Sequence, residues 1–114
     1  MRSLPEVNSL LFQRYLVIME EFVAAGRHDP WSRTPRLSLD NLTWMCRTGI
    51  ERATEMEEDK ASRWLGFVQG CLAMRGLIDV DTERDVTRPL FHEVYRERTG
   101  ATPESLEKPG DEPQ

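Results

Sequence analysis

A chain of 114 residues, 39% hydrophobic and 31% charged, has apolar material for one packed core and too little length for two, which excludes wholesale disorder and a second domain. No run approaches the roughly 18 consecutive apolar residues of a membrane span and no signal-peptide profile opens the chain, so a cytoplasmic protein without a membrane contact is expected. The net charge is −5, but residues 101–114 supply −3 of it, and the first 100 residues set 14 basic groups against 16 acidic ones; neither a basic nucleic-acid surface nor a one-signed acidic mimic is present.

The spacing of apolar residues predicts a first helix over 4–25. Leu4, Val7, Leu11, Ile18 and Phe22 fall on one stripe with Tyr15 beside it, and Phe12, Leu16, Met19 and Val23 form a second, so this helix should meet more than one neighbour. Ser3 suits the N-cap, Pro5 the first turn and Gly26 the stop.

Residues 26–37 form the one long connection, where Pro30 and Pro35 disfavour helix. It interleaves Trp31 with Arg27, Arg33 and Arg36. Either Trp31 folds back as a lid on the core with the arginines in solvent, or the group grips an anionic or aromatic ligand.

Ser38 caps a second helix, expected over 39–56, with Leu39, Leu42, Met45, Cys46, Gly49, Ile50, Ala53 and Met56 on its inner face. Trp44 points almost opposite, beside Arg47, Thr48 and Glu51, so another surface should cover it: the 26–37 loop or another protein. A third helix is expected over about 60–76, with Ala61, Trp64, Leu65, Val68, Cys71 and Leu72 inward. Gly66, Gly70 and Ala73 make a small-residue stripe on its back. Each glycine inside a helix costs about 1 kcal/mol against alanine, and close approach of another backbone is the usual compensation. This is therefore the central helix of a bundle or a homodimer seam.

A last helix is expected from Thr87-Arg88-Pro89 to about Arg98, with Leu90, Phe91, Val94 and Tyr95 on a narrow apolar face. The tail 101–114, rich in Pro, Glu and Asp, is expected to be disordered. There is no strand-like alternation and no internal repeat. The predicted architecture is all-α: one domain over 1–100, a small bundle of four helices, then an acidic tail.

Several chemistries fail on composition or spacing. His28 and His92 are the only histidines, and Cys46 and Cys71 sit in apolar helical contexts as core thiols, which leaves no zinc spacing and no disulfide framework. The acidic run 79–85 lacks a calcium loop's glycine, Arg84 standing there, and Leu90 stands where its bidentate glutamate belongs; capping of the last helix accounts for the aspartates better. Glu51, Glu55 and Glu58 suggest one half of a magnesium-dependent nucleotide hydrolase, but no second helix of spaced acids completes it. No phosphate-binding glycine loop is present. The one helix-turn-helix candidate places Trp, Leu and Phe where a reading helix needs polar donors, so specific DNA binding is not expected. No metal, cofactor or catalytic residue is assigned.

From Leu39 to Arg98, and most closely at Ser62-Arg63-Trp64-Leu65-Gly66-Phe67-Val68-Gln69-Gly70 and Thr87-Arg88-Pro89-Leu90-Phe91-His92, the chain resembles small accessory proteins of tailed-phage and prophage early regions. What the resemblance implies is context: a short protein that binds and disables or modulates a bacterial host protein, in the host cytoplasm. Trp31 and Trp44, with Arg27, Arg33, Arg36 and Arg47, are the candidate anchors, since Trp and Arg dominate binding hot spots. The alternative is a helical sponge for a nucleotide second messenger, with Arg33, Arg36 and Arg47 on phosphate and a tryptophan on the base.

Overall fold

A computed structural model describes residues 2–99; the acidic tail expected over 101–114 lies outside them. Among the described residues all regular structure is helical: α1 (Leu4–Ala24), α2 (Leu39–Glu51), α3 (Glu58–Met74) and α4 (Val80–Thr99). No helix is long and apolar enough to cross a membrane.

Local chemistry sets most of the boundaries. Ser3 and Glu6 form a reciprocal capping box: the Glu6 amide donates to Ser3 Oγ at 3.3 Å and the Ser3 amide to Glu6 Oε1 at 3.2 Å. Ser38 Oγ accepts from the Asn41 amide at 3.3 Å and starts α2. Gly26 and Gly76, at φ 68° and 71°, take the left-handed conformation just beyond α1 and α3.

Two boundaries differ from the sequence reading. Helix α2 stops at Glu51, where Arg52 leaves the helical conformation at φ −111° and ψ 20°; a separate turn follows, in which the Arg52 carbonyl accepts the Glu55 and Met56 amides at 3.0 and 2.9 Å. Ala53 and Met56 keep their half-buried places through this turn rather than through further helix. Helix α4 starts at Val80, seven residues before the expected start, and carries Pro89 in its interior. Asp79 caps it, accepting from the Thr82 amide at 3.0 Å and from Thr82 Oγ1 at 2.9 Å. The early start places Glu83, 5% exposed, at the core boundary. There the Arg14 guanidinium meets it with Nε on Oε2 and Nη2 on Oε1, both at 3.0 Å, and the Tyr15 hydroxyl donates to it at 2.6 Å. Gln69 Nε2 completes the chain by donating to the Tyr15 oxygen at 2.8 Å. The buried carboxylate joins α4 to α1, and the Tyr15 hydroxyl extends the network to α3.

The helix at the centre is α1, not α3. It packs against each of the other three, and Val7, Leu11, Phe12, Tyr15, Met19 and Phe22 are buried along it. The two apolar stripes merge into one broad buried face, while Val23 remains in solvent. Close approach occurs at Gly49 of α2, and by a side chain rather than a backbone: an added Cβ would lie 2.4 Å from the ring of Phe12. A Cβ at Gly66 or Gly70 would meet nothing within 4 Å. The small-residue stripe of α3 therefore does not mark the bundle's tightest contact.

Candidate functional site

The largest exposed aromatic side chain is Trp44, 56% exposed. Its outward direction follows from α2's geometry: Leu42, Met45, Cys46 and Gly49 occupy the inner face and leave it on the outer one. The neighbour it meets is the half-buried Trp64 of α3, the ring centroids 5.6 Å apart and the planes tilted by 46°. Lys60 Nζ stands over the Trp64 ring, 5.3 Å from its centroid.

Open grooves run along both sides of the tryptophan pair. One, of 550 Å³, is lined by Pro35, Arg36 and Asn41 at one wall and by Met45, Arg63 and Phe67 around the rings. The other, of 540 Å³, is lined by Thr48, Arg52, Glu55, Met56, Glu57 and Lys60 beside the same rings. The first contains two arginines and no acidic side chain; the second sets two bases against two acids. Arg63 Nη1 also reaches Asp59 Oδ2 at 2.9 Å, whereas the Arg36 side chain has no ion pair among the described residues. Phe67, also exposed, extends the aromatic floor. Large aromatics on open surface with arginines at the edge are the composition of protein-binding hot spots.

The connection 26–37 is held elsewhere. Arg75, its side chain 1% exposed, donates from Nε to Asp29 Oδ1 at 3.0 Å and from Nη2 to Asp29 Oδ2 at 3.2 Å. It also donates to the carbonyls of Cys71 and Leu37, and its guanidinium lies 5.0 Å from the Trp31 centroid. Burial by itself would raise the Asp29 carboxyl, but the hydrogen bonds from Arg75 and the Trp31 amide outweigh it and hold the group below its ordinary value. Trp31 thus lies over a buried ion pair rather than on the apolar core, whose packed neighbours among the described residues do not include it.

The six residues singled out from the sequence do not converge. Trp44 and Arg36 share one groove. Trp31 lies on Arg75, and Arg27 stacks on the Phe22 ring at 4.7 Å. Arg33 is exposed in the loop, and Arg47 faces a different groove with Met19, Val23 and Thr43. The arginines proposed to hold a nucleotide's phosphates are therefore distributed over the surface. Gly70 and Ala73 line a shallow 240 Å³ groove between α3 and α4, with Ile78, Val80 and Thr87 opposite.

Sequence reasoning missed Trp64, Arg63 and Phe67 as members of the Trp44 surface. Trp64 was assigned wholly to the core, though its position at the edge of α3's inner face was a usable signal. The Arg75–Asp29 pair had no local signal, being 46 residues apart in the chain.

No three His, Cys, Asp or Glu side chains among the described residues are grouped to hold a metal ion. Glu55 pairs with Arg52 at 3.8 Å and Glu58 with Arg98, rather than with Glu51 or each other. Cys46 and Cys71 are buried free thiols. Burial pushes Cys46 up to about 12 and raises Cys71 as well, with Arg75 opposing; neither is a prepared nucleophile. Comparison with known proteins finds no matching family model, no matching curated relative and no matching solved structure.

Proposed function

We propose that this protein is a non-enzymatic binding protein whose target is another protein, engaged through the face that carries Trp44 and Trp64. The observation behind this reading is the open aromatic pair: Trp44 is 56% exposed although a second tryptophan lies beside it. Covering such a pair supplies the large apolar contact area on which hot spots depend. In the phage-type context that the sequence resemblance implies, the target is a bacterial host protein, and binding inhibits or modulates it. Nucleotide sequestration has less support, because Arg33, Arg36 and Arg47 do not share a site.

The test uses the full chain, tagged, in a gently prepared bacterial lysate, followed by native mass spectrometry. A stoichiometric protein should be captured by the wild type and, once purified, should bind it in calorimetry. Trp44→Ala should abolish that binding with far-UV circular dichroism unchanged. An added mass of a few hundred daltons in place of a protein, or retained binding by Trp44→Ala, would sink the reading.

A further inference from the structure

Of the two grooves beside the tryptophan pair, only the one between Arg36 and Phe67 has charge of a single sign. Arg36, ahead of α2, and Arg63, on α3, line it together with Trp44, Trp64, Met45 and Phe67, and no acidic side chain lines it. Lys60, which stands over the Trp64 ring, belongs to the other groove with Glu55 and Glu57. This is a basic, apolar surface on a chain whose net charge is −5. The Arg36 guanidinium has no acidic partner among the described residues, and Arg63 shares its charge with Asp59 in an ion pair open to solvent on both sides. Two planar guanidinium groups at the edges of an aromatic floor match carboxylates that flank an apolar side chain.

We infer that this groove takes an acidic segment of the protein target, with one carboxylate at Arg36, another at Arg63, and an apolar side chain between them over Trp44, Trp64 and Phe67. The inference rests on the reading of this face as protein-binding and specifies the target's chemistry. A basic segment would bring like charge against Arg36 and Arg63. A neutral one would leave the arginines in water and bind through the aromatic floor alone. Electrostatic matching of this kind selects the partner and speeds encounter, while the tryptophans hold the complex.

The experiment is a titration of the full chain, followed by amide and indole NMR, with three peptides of equal length. Each carries the same central Leu-Phe-Leu, flanked by Asp and Glu, by Ser and Gln, or by Lys. The acidic peptide should shift the Trp44 and Trp64 indole resonances and saturate, with the neutral peptide at least about tenfold weaker and the basic one weaker still. The double charge reversal Arg36→Glu, Arg63→Glu, both at exposed positions, should invert the order so that the basic peptide is preferred. Trp44→Ala should remove binding of all three. Equal binding of the three peptides, lost in Trp44→Ala but indifferent to charge reversal, would overturn the acidic-segment inference and leave the protein-binding face standing. Binding that survives Trp44→Ala would overturn both. No indole shift with the acidic peptide, or shifts that grow with protein concentration before any peptide is added, would overturn the proposed occupant, the second by placing another copy of the chain in the groove.

Discussion

Three helical glycines should respond to alanine with opposite signs. At Gly66 and Gly70 an added Cβ meets nothing within 4 Å, so each substitution should deliver the full helix-propensity gain of about 1 kcal/mol. For a domain of this size that raises the melting temperature by about 4–8 °C per substitution. At Gly49 the same Cβ would sit 2.4 Å from two carbons of the Phe12 ring and 2.8 Å from a third, where contact between carbons is comfortable only near 3.5–4.0 Å, so the ring must move by about 1 Å or more. Phe12 is almost fully buried and cannot swing into solvent. Overpacking costs about 1–3 kcal/mol, and a contact this short on a buried ring belongs at the upper end of that range, so after the propensity gain of about 1 kcal/mol Gly49→Ala should be destabilising by up to about 2 kcal/mol net. Urea unfolding of the four proteins, with Phe12→Leu added to Gly49→Ala as a double-mutant cycle, measures each term; the smaller side chain should recover part of the loss. Gly66→Ala or Gly70→Ala losing stability, with midpoints that depend on protein concentration, would refute the reasoning, since a second chain's backbone would then occupy the small-residue stripe.

Replacing Glu83 by Leu leaves the Tyr15 hydroxyl without its acceptor and both donors of the Arg14 fork without theirs, and should cost about 2–3 kcal/mol in urea unfolding, while Tyr15→Phe should cost less because the carboxylate keeps Arg14. Arg75→Met leaves the Asp29 carboxylate buried without its cation, so it should destabilise the fold by about 3 kcal/mol and speed tryptic cleavage at Arg27, Arg33 and Arg36; unchanged cleavage would show that the loop is held by something else. The folded-state pKa of Asp29 is depressed, so its contribution to stability is complete above the unfolded value of about 3.9 and is lost as pH falls through the lower folded value. Acid unfolding curves of Asp29→Asn should lack that part of the slope. Cys46 is buried with its thiol pushed up to about 12, so a thiol reagent at pH near 8 should leave it unmodified in the native protein and label it on unfolding; rapid native labelling would contradict its burial.

Much of the architecture was legible from local chemistry. Helix starts at Ser3 and Ser38 and the stop at Gly26 depend on groups within a few residues of one another, and the structure has them as read. The start of α4 was legible only in part: the aspartates of 79–85 read as caps of the last helix, while the helix itself was expected from Thr87. Pro89 fits a first helical turn as well as an interior, and what places the start at Val80 is the Asp79 cap together with Glu83, whose partners Arg14 and Tyr15 lie more than 65 residues earlier. The candidate site divides along the same line. That Trp44 faces away from the core follows from helix period alone, but that Trp64 lies beside it, with Arg36 and Arg63 at the groove's edges, depends on how α2 and α3 meet.

By itself, then, the sequence determined an all-α chain, the inward faces of its helices and a tryptophan left outside, because amphipathic period and capping act over three or four residues. Only the tertiary structure decided that α1 is central, that close approach falls at Gly49 rather than at Gly66 and Gly70, and that Trp31 closes over a buried Arg75–Asp29 pair while Trp44 stays open. Those outcomes are set by contacts between segments distant in the chain. Which pairs of apolar faces meet is a choice among packings that share the same local periodicity, and it is resolved by side-chain volume and by buried charges finding their partners.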